Sequence, residues 1–248
     1  MNGENEYRRS GIANDKKAWE IRRFSCISST NEYLKPLRAE GRNVIAVSDK
    51  QTGGRGTKGR SFVSDEGGVY FSALTFYEDL PARSAFLLLA RAAVAVCRTL
   101  EGFGVFPVIK WSNDIFVRNK KICGILIENV FSAGNISSSI VGIGLNVFNR
   151  LPKELSEIAT SVFEETGKKF DLEEVTQRLF AEFARADGED LIQEYLSRIG
   201  YMGSEATLLI GDERVPATLL SVDDEGGLHV RIQGVERRLT SAEVSIRL

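Results

Sequence analysis

Val108-Ile-Lys-Trp-Ser-Asn-Asp-Ile-Phe-Val117, Ile122-Cys-Gly-Ile-Leu-Ile-Glu-Asn-Val130 and Ser139-Ile-Val-Gly-Ile-Gly-Leu-Asn-Val147 follow one another along the chain and decide its fold. All three are rich in β-branched and aliphatic residues and read as strands, the first in two pieces, Val108 to Trp111 and Ile115 to Val117. Their links, at Asn119-Lys120 and at Ser132 to Asn135, are too short for a crossover helix, so the strands form antiparallel hairpins. Side chains alternate faces along a strand. Gly142, Gly144 and Asn146 therefore share one face of the third run, and Ile143, Leu145 and Val147 the other. The aliphatic face packs a core. The glycine face is a bare strip ending in one amide, and it needs a cover, either a flat ligand or a close-packed helix.

Upstream, Val69 to Phe76 reads as a strand, and Val44 to Val47 as a short strand entering a Gly-rich loop, Gly53 to Gly59. Arg83 to Leu100 has helical periodicity without Gly or Pro, and its apolar residues surround most of the circumference, which predicts a well-buried helix. Leu172 to Ile199 reads as two helical pieces broken at Asp187-Gly188. The pattern changes near Gly200 to Ser204. Beyond it, Thr207 to Ile210, Val215 to Val222, Leu228 to Ile232 and Arg237 to Leu239 alternate between turn signals, which suggests a small β-barrel. The expected organisation is a loose N-terminal segment at 1–20, a catalytic unit at 21–201 and a C-terminal barrel at 202–248.

The composition, with 43% hydrophobic and 27% charged residues, is that of an ordinary globular protein. The net charge of −2 gives no global attraction to nucleic acid or to a membrane surface. Cys26, Cys97 and Cys123 are odd in number and far apart, which indicates neither a disulfide framework nor a zinc site. The single histidine, His229, reads as a partly exposed strand residue. No run of about 20 apolar residues occurs, and the polar start, Met1 to Asp15, has no signal-peptide core, so a cytosolic protein is expected.

Four segments carry chemistry. In Lys50-Gln-Thr-Gly-Gly-Arg-Gly-Thr-Lys-Gly-Arg60, four glycines and four cations fall within eleven residues. Its glycines let backbone N–H groups approach an anion, but a solvated basic turn has the same composition, and the P-loop spacing is absent. Lys110-Trp-Ser-Asn-Asp114 puts polar groups at a strand end. Asp114 there suits a water-mediated Mg²⁺ contact or the orienting of an amine, and Asn-Asp is also a good turn pair. In Lys121-Ile-Cys-Gly124, the glycine interrupts a strong strand and marks a bulge or close ligand approach. Lys121 is then either a site cation or protection of a sheet edge. The fourth segment is the Gly142, Gly144, Asn146 strip.

Five motifs in this order, across roughly Ser28 to Val147, resemble the catalytic domain of biotin–protein ligases. They are Ser28-Ser-Thr-Asn31, the Gly-Arg-Gly-x-x-Gly-Arg loop at 54–60, Lys-Trp-x-Asn-Asp at 110–114, Lys-x-x-Gly-Ile-Leu-x-Glu at 121–128 and Gly-Ile-Gly-x-Asn-Val at 142–147. Each is weak alone, but five in register are specific. Ala242-Glu-Val-Ser-Ile-Arg247 looks like the last strand of the family's small barrel. The resemblance implies an α+β fold: a mixed, largely antiparallel sheet flanked by helices, akin to class II synthetases, with a small C-terminal β-barrel.

It also implies roles. Ser29, Thr30, Asn31, Gln51, Gly54, Arg55, Lys121, Gly124, Leu126, Gly142 and Gly144 would bind biotin. Arg55, Gly56, Lys58, Arg60, Phe62, Lys110, Trp111, Asn113 and Asn146 would bind ATP or the adenylate. Lys121, Arg55 and Asp114 would be catalytic, with Mg²⁺ on the polyphosphate and Asp114 near it. The partner would be the biotin carboxyl carrier domain of a carboxylase, and a homodimer is compatible with the resemblance. Bifunctional relatives carry an upstream DNA-binding domain. Here only 27 residues precede Ser28, without a three-helix pattern, so no specific DNA binding is expected. Two positions depart from the pattern: Ser112 stands where many relatives have Pro, and Thr57 where some have Arg. Lipoate ligases share the architecture but need an apolar tunnel, which Ser29, Thr30 and Gln51 do not suit.

Overall fold

A computed structural model describes residues 19–186 and 190–247. The expected loose segment at 1–20 lies almost wholly outside the described residues, as does the expected helix break at Asp187-Gly188. Strand β1, Glu20–Phe24, leads through Ser29 into a one-turn helix α1, Thr30–Leu34, and then into β2, Val44–Ser48. Strand β3 spans Gly68–Pro81 and helix α2 Ala85–Glu101. β4, Val108–Lys110, and β5, Asp114–Val117, are short. β6, Lys120–Ser132, and β7, Asn135–Asn146, are long. Helices α3, Val162–Thr166, α4, Leu172–Arg185, and α5, Leu191–Ser197, follow.

These strands form one seven-stranded sheet in the order β1-β2-β3-β7-β6-β5-β4. Every pair is antiparallel except β1 with β2. The hairpins read from the sequence are there, and β6 and β7 extend past the expected ends to meet at Ser132 and Asn135. One face packs on α2, whose central Ala92, Ala93 and Ala95 are fully buried beside Val94 and Val96. Small side chains let this helix lie close to Val141, Ile143 and Leu145 of β7 and to Leu179 and Phe183 of α4. The helix begins at Ala85 rather than Arg83, because Pro81 fixes an extended entry and Ala82–Ser84 forms a 3₁₀ turn. The opposite face carries α1, where Leu34 packs with Phe24, Val44, Ala46, Leu74 and Ile140.

The C-terminal strands are β8, Glu205–Ile210, β9, Glu213–Val222, β10, Leu228–Ile232, β11, Val235–Leu239, and β12, Val244–Arg247. They pair antiparallel in the order β11-β10-β9-β8-β12. Their ladder is an open five-stranded sheet rather than a closed barrel, since β11 and β12 are its two edges. Val235, Glu236, Arg237 and Arg238 of β11 are all exposed, so that strand has no second buried side on which to close. His229 sits on β10 with Nε2 3.0 Å from Asp223 Oδ2. Trp111 joins the apolar core of this sheet, beside Leu208, Leu219 and Val230, and donates from Nε1 to Gly226 O at 3.0 Å. No helix among the described residues is long and apolar enough to cross a membrane.

Candidate functional site

Register builds the floor of the site. Gly124 pairs with Gly144, and Leu126 with Gly142, whose other neighbour is Ser72 of β3. Paired residues in an antiparallel ladder project to the same side, so these positions form one strip facing α1 and the Gly-rich loop. The strip is partly covered by protein. A Cβ on Gly142 would collide with Asn31 Oδ1, and one on Gly144 would lie 2.6 Å from the Phe62 ring. Between these covers lies a cavity of about 180 Å³. Ser29, Thr30, Asn31, Gln51, Arg55, Gly56, Arg60, Phe62, Asn113, Lys121, Gly124, Leu126, Gly142 and Gly144 all line it.

One end of the cavity is uncharged and polar. Ser29 is the N-cap of α1, but its Oγ is 3.5 Å from Glu32 N, at the limit of a hydrogen bond, so the hydroxyl is only weakly engaged. Thr30 N donates to Gln51 Oε1 at 2.8 Å, and Gln51 Nε2 donates to Ser64 Oγ at 3.0 Å. Thr30 Oγ1 lies 2.7 Å from Ser72 Oγ, which lies 2.7 Å from Asn31 Oδ1. Asn31 Nδ2 donates to Glu128 Oε2 at 2.8 Å. Buried hydroxyls and amides on this scale persist only when mutually satisfied.

Lys121 marks the other end, and paired charges surround the cavity. Lys121 Nζ is 2.6 Å from Asp114 Oδ1 and 5.6 Å from the centre of the Phe62 ring. Arg55 pairs with Glu32 at 2.9 Å, Glu32 with Lys35 at 2.6 Å, and Lys35 with Glu128 at 2.9 Å. The loop that carries Arg55 is pinned at its ends, by Gly53 N to Ser28 O at 2.8 Å and Phe62 N to Gly54 O at 2.9 Å. Its tip turns at Lys58, whose φ is +57°, and Lys58 Nζ donates to Val244 O and Ser245 Oγ, both at 3.1 Å. Arg60 folds back on Thr57, donating to its carbonyl at 3.2 Å and its hydroxyl at 3.1 Å.

A second cavity, of about 1,070 Å³, lies between α2, β4, β5 and the C-terminal sheet. Lys58, Lys110, Trp111 and Asp114 line it, and it shares Thr57, Arg60, Asn113 and Ile125 with the first. The Lys121–Asp114 pair therefore spans the junction, with the lysine in one cavity and the carboxylate in the other. Asp114 belongs to no metal cluster: among the described residues no three His, Cys, Asp or Glu side chains come together as one would require.

Two predicted positions lie outside both linings. Gly54 supports the loop, where a Cβ would collide with Phe62 O and Ser64 Oγ. Asn146 is buried, donating from Nδ2 to Thr160 O at 3.0 Å and accepting from Asn149 Nδ2 at 3.1 Å. Sequence reasoning assigned no role to Ser72, Glu32 or Glu128. Strand alternation puts Glu128 on the face of Gly124 and Leu126, so that signal was present, whereas Ser72 depends on the long-range pairing of β3 with β7.

The biotin/lipoate A/B protein ligase family model matches residues 23–146, half of the chain. The bifunctional ligase/repressor BirA of Bacillus subtilis is 31% identical over 252 residues, spanning 96% of this chain and 77% of that protein. The biotin–[acetyl-CoA-carboxylase] ligase of Mycobacterium tuberculosis is 27% identical over 83% of this chain and 81% of its own length. Among solved structures, the biotin protein ligase from Aquifex aeolicus in complex with biotin and ATP superposes with a TM-score of 0.75 at 29% identity. It covers 94% of this chain and 99% of that one.

Proposed function

We propose that this chain, which belongs to the biotin/lipoate A/B protein ligase family, is a biotin–protein ligase that activates biotin with ATP and transfers it to a lysine of a carboxyl carrier domain. The observation that carries the reading is the polarity of the small cavity. Neutral hydrogen-bonding groups at one end (Thr30, Ser72, Asn31 and Gln51) suit a cyclic urea. Lys121 suits a carboxylate and a phosphate at the other, and Arg55 also lines the cavity. A lipoyl or octanoyl chain has no N–H or C=O in its ring or tail to exchange hydrogen bonds with these groups, whereas a cyclic urea has both.

In the first half-reaction a biotin carboxylate oxygen attacks the α-phosphorus of ATP, a P–O bond forms, and the bond to pyrophosphate breaks. Lys121 exchanges or shares its contact with Asp114 to neutralise the gathering negative charge, and Arg55 serves the same oxygens from the loop. The larger cavity receives the polyphosphate beside Lys110 and Arg60. A Mg²⁺ ion bound to that polyphosphate would need only one or two protein carboxylates. Asp114 fits that need at the junction of the cavities, and the ion's contribution is charge neutralisation. In the second half-reaction the carrier lysine, once deprotonated, attacks the biotinyl carbonyl. An amide C–N bond forms and AMP leaves. Asp114 is the carboxylate placed to orient that amine, and the loop at 53–60 excludes water meanwhile.

Biotin-dependent ATP–pyrophosphate exchange by the purified protein tests the first step, and labelling of a carrier domain tests the second. Exchange supported by lipoate in preference to biotin overturns the assignment.

A further inference from the structure

The hydrogen-bond row in the small cavity has a direction, and one residue outside the cavity lining sets it. Thr30 Oγ1 and Ser72 Oγ are 2.7 Å apart, and Ser72 Oγ and Asn31 Oδ1 are 2.7 Å apart. Oxygens this close need a proton between them, and each hydroxyl has one to give. Two orderings satisfy the row. In the first, Thr30 donates to Ser72 and Ser72 donates to the Asn31 carbonyl, which leaves Thr30 Oγ1 and Gln51 Oε1, 3.0 Å apart, without a proton between them. In the second, Asn31 turns its amide over and donates to Ser72, Ser72 donates to Thr30, and Thr30 donates to Gln51 Oε1, 3.0 Å away. The second ordering brings Asn31 Oδ1 against Glu128 Oε2, which sits 2.8 Å from the amide nitrogen. An ionised carboxylate only accepts hydrogen bonds, so the second ordering sets a charged oxygen against a carbonyl oxygen, a closer and costlier contact than the neutral Thr30–Gln51 pair that the first leaves.

We infer that Glu128 is a positioning residue for the urea end of the ligand: by fixing the Asn31 amide it orders the row so that the cavity presents hydrogen-bond acceptors. Lys35 Nζ, 2.9 Å from Glu128 Oε1, supports the charge from the outer side. Burial raises the Glu128 carboxyl, but the hydrogen bonds from Lys35 and Asn31 outweigh it, and the group sits below its ordinary value. With the row so ordered, Asn31 Oδ1, Thr30 Oγ1 and Gln51 Oε1 keep lone pairs for the two N–H groups of a cyclic urea. In the reversed row Asn31 would present an amide N–H instead, donor against donor. This inference rests on the biotin reading, and it assigns the discrimination to a charge that does not line the cavity.

The test is Glu128→Gln, alone and combined with Asn31→Asp, read by pyrophosphate exchange. An amide in place of the carboxylate tolerates either orientation of Asn31, so the KM for biotin is expected to rise on the order of tenfold, the worth of one good hydrogen bond. The kcat and the KM for ATP should stay within about twofold. In the double variant the side chain at position 31 is again acceptor-only toward Ser72, with the new amide at position 128 donating to it. The biotin KM should then return to within about threefold of wild type. Loss of selectivity against biotin methylated at a ureido nitrogen should accompany the single variant and reverse in the double. An unchanged biotin KM in Glu128→Gln, or a double variant no better than the single, overturns the inference. Should Glu128→Gln not fold, Lys35→Met must raise the biotin KM at unchanged kcat, and an unchanged KM there overturns the inference as well. Wild-type protein without biotin-dependent exchange overturns the functional reading itself, a separate outcome.

Discussion

The strip on β6 and β7 and the loop at 53–60 are both glycine-rich and both border the small cavity, yet the strip and the loop tip use glycine for opposite reasons. On the strip the glycines make room: Asn31 and Phe62 already occupy the space a Cβ would need at 142 and 144. The backbone there is locked in a continuous ladder from Cys123–Leu145 to Val130–Ser138. In the loop Gly54 also makes room, but the glycine at the tip supplies conformation. Gly59 has φ +72° with nothing within 4 Å of a would-be Cβ. The loop tip is held by exposed contacts, Arg55 to Glu32 and Lys58 to β12, rather than by a ladder. A rigid floor and a loosely tethered cover suit a reaction whose ligand must be placed accurately and then kept from water. The floor should therefore govern chemistry and stability, and the cover should govern retention.

The largest effect is expected at the floor. Lys121→Ala should lower biotin-dependent pyrophosphate exchange at least about 100-fold, the usual scale for losing one group that stabilises transition-state charge. Folding should persist, because the lysine is partly exposed and such ion pairs contribute little to stability. Near-normal exchange would remove Lys121 from the chemistry. Next, Gly144→Ala should cost about 1–3 kcal/mol in urea denaturation through overpacking against Phe62. Gly59→Ala should cost about 1–2 kcal/mol, through the left-handed backbone alone, and leave the biotin KM unchanged. Equal effects on the biotin KM from the two variants would erase the distinction between floor and cover.

Two smaller effects concern the cover. Trypsin should cut at Arg55 and Lys58 more slowly with biotin plus ATP than without, because an anion beneath the loop supplies the partner that its cations otherwise seek on the surface. Identical cutting rates would show that the loop is already closed. The smallest effect is expected for Thr57→Arg. A guanidinium in place of the hydroxyl adds a charge-assisted contact to the adenylate, so labelling of bystander proteins by escaped biotinyl-AMP should fall, by at most about tenfold. Lys58 does not already fill this role, because its ammonium is turned toward β12 and the larger cavity. Undiminished bystander labelling would make Thr57 an ordinary loop residue.

The floor was legible in the sequence because a period-two pattern survives in long strands: Gly142, Gly144 and the aliphatic residues between them declare both faces. Other elements left weaker traces. Strand β1, Glu-Ile-Arg-Arg-Phe, has three charges in five residues and owes its place to parallel pairing with β2. Helix α1 is too short for periodicity to show, so its start at Ser29 was read only as a motif. In the C-terminal segment the alternation announces strands but not closure, which depends on whether the edges meet. The amide of Asn146 marks the end of the strip in the sequence, but its partners, Thr160 O and Asn149, come from a later segment that no local pattern connects to it. Ser72 and Glu128 show the same limit, because their roles arise from a register between strands.

Trp111 joins the seven-stranded sheet to the C-terminal sheet in a way that bears on chimeras. Its indole lies in the apolar core of the C-terminal sheet and hydrogen-bonds the turn at Gly226, which in turn packs on Phe86 of α2. One peptide bond away stands Lys110, facing the larger cavity. A chain shortened at residue 201 would strip the indole of its apolar cover and its acceptor together, and the segment carrying Lys110 would lose its anchor. A C-terminal sheet transplanted from a relative would need to bring a compatible turn at 223–227 for residue 111 to dock in. The two pieces of chain are thus matched parts, fitted to each other at this aromatic plug.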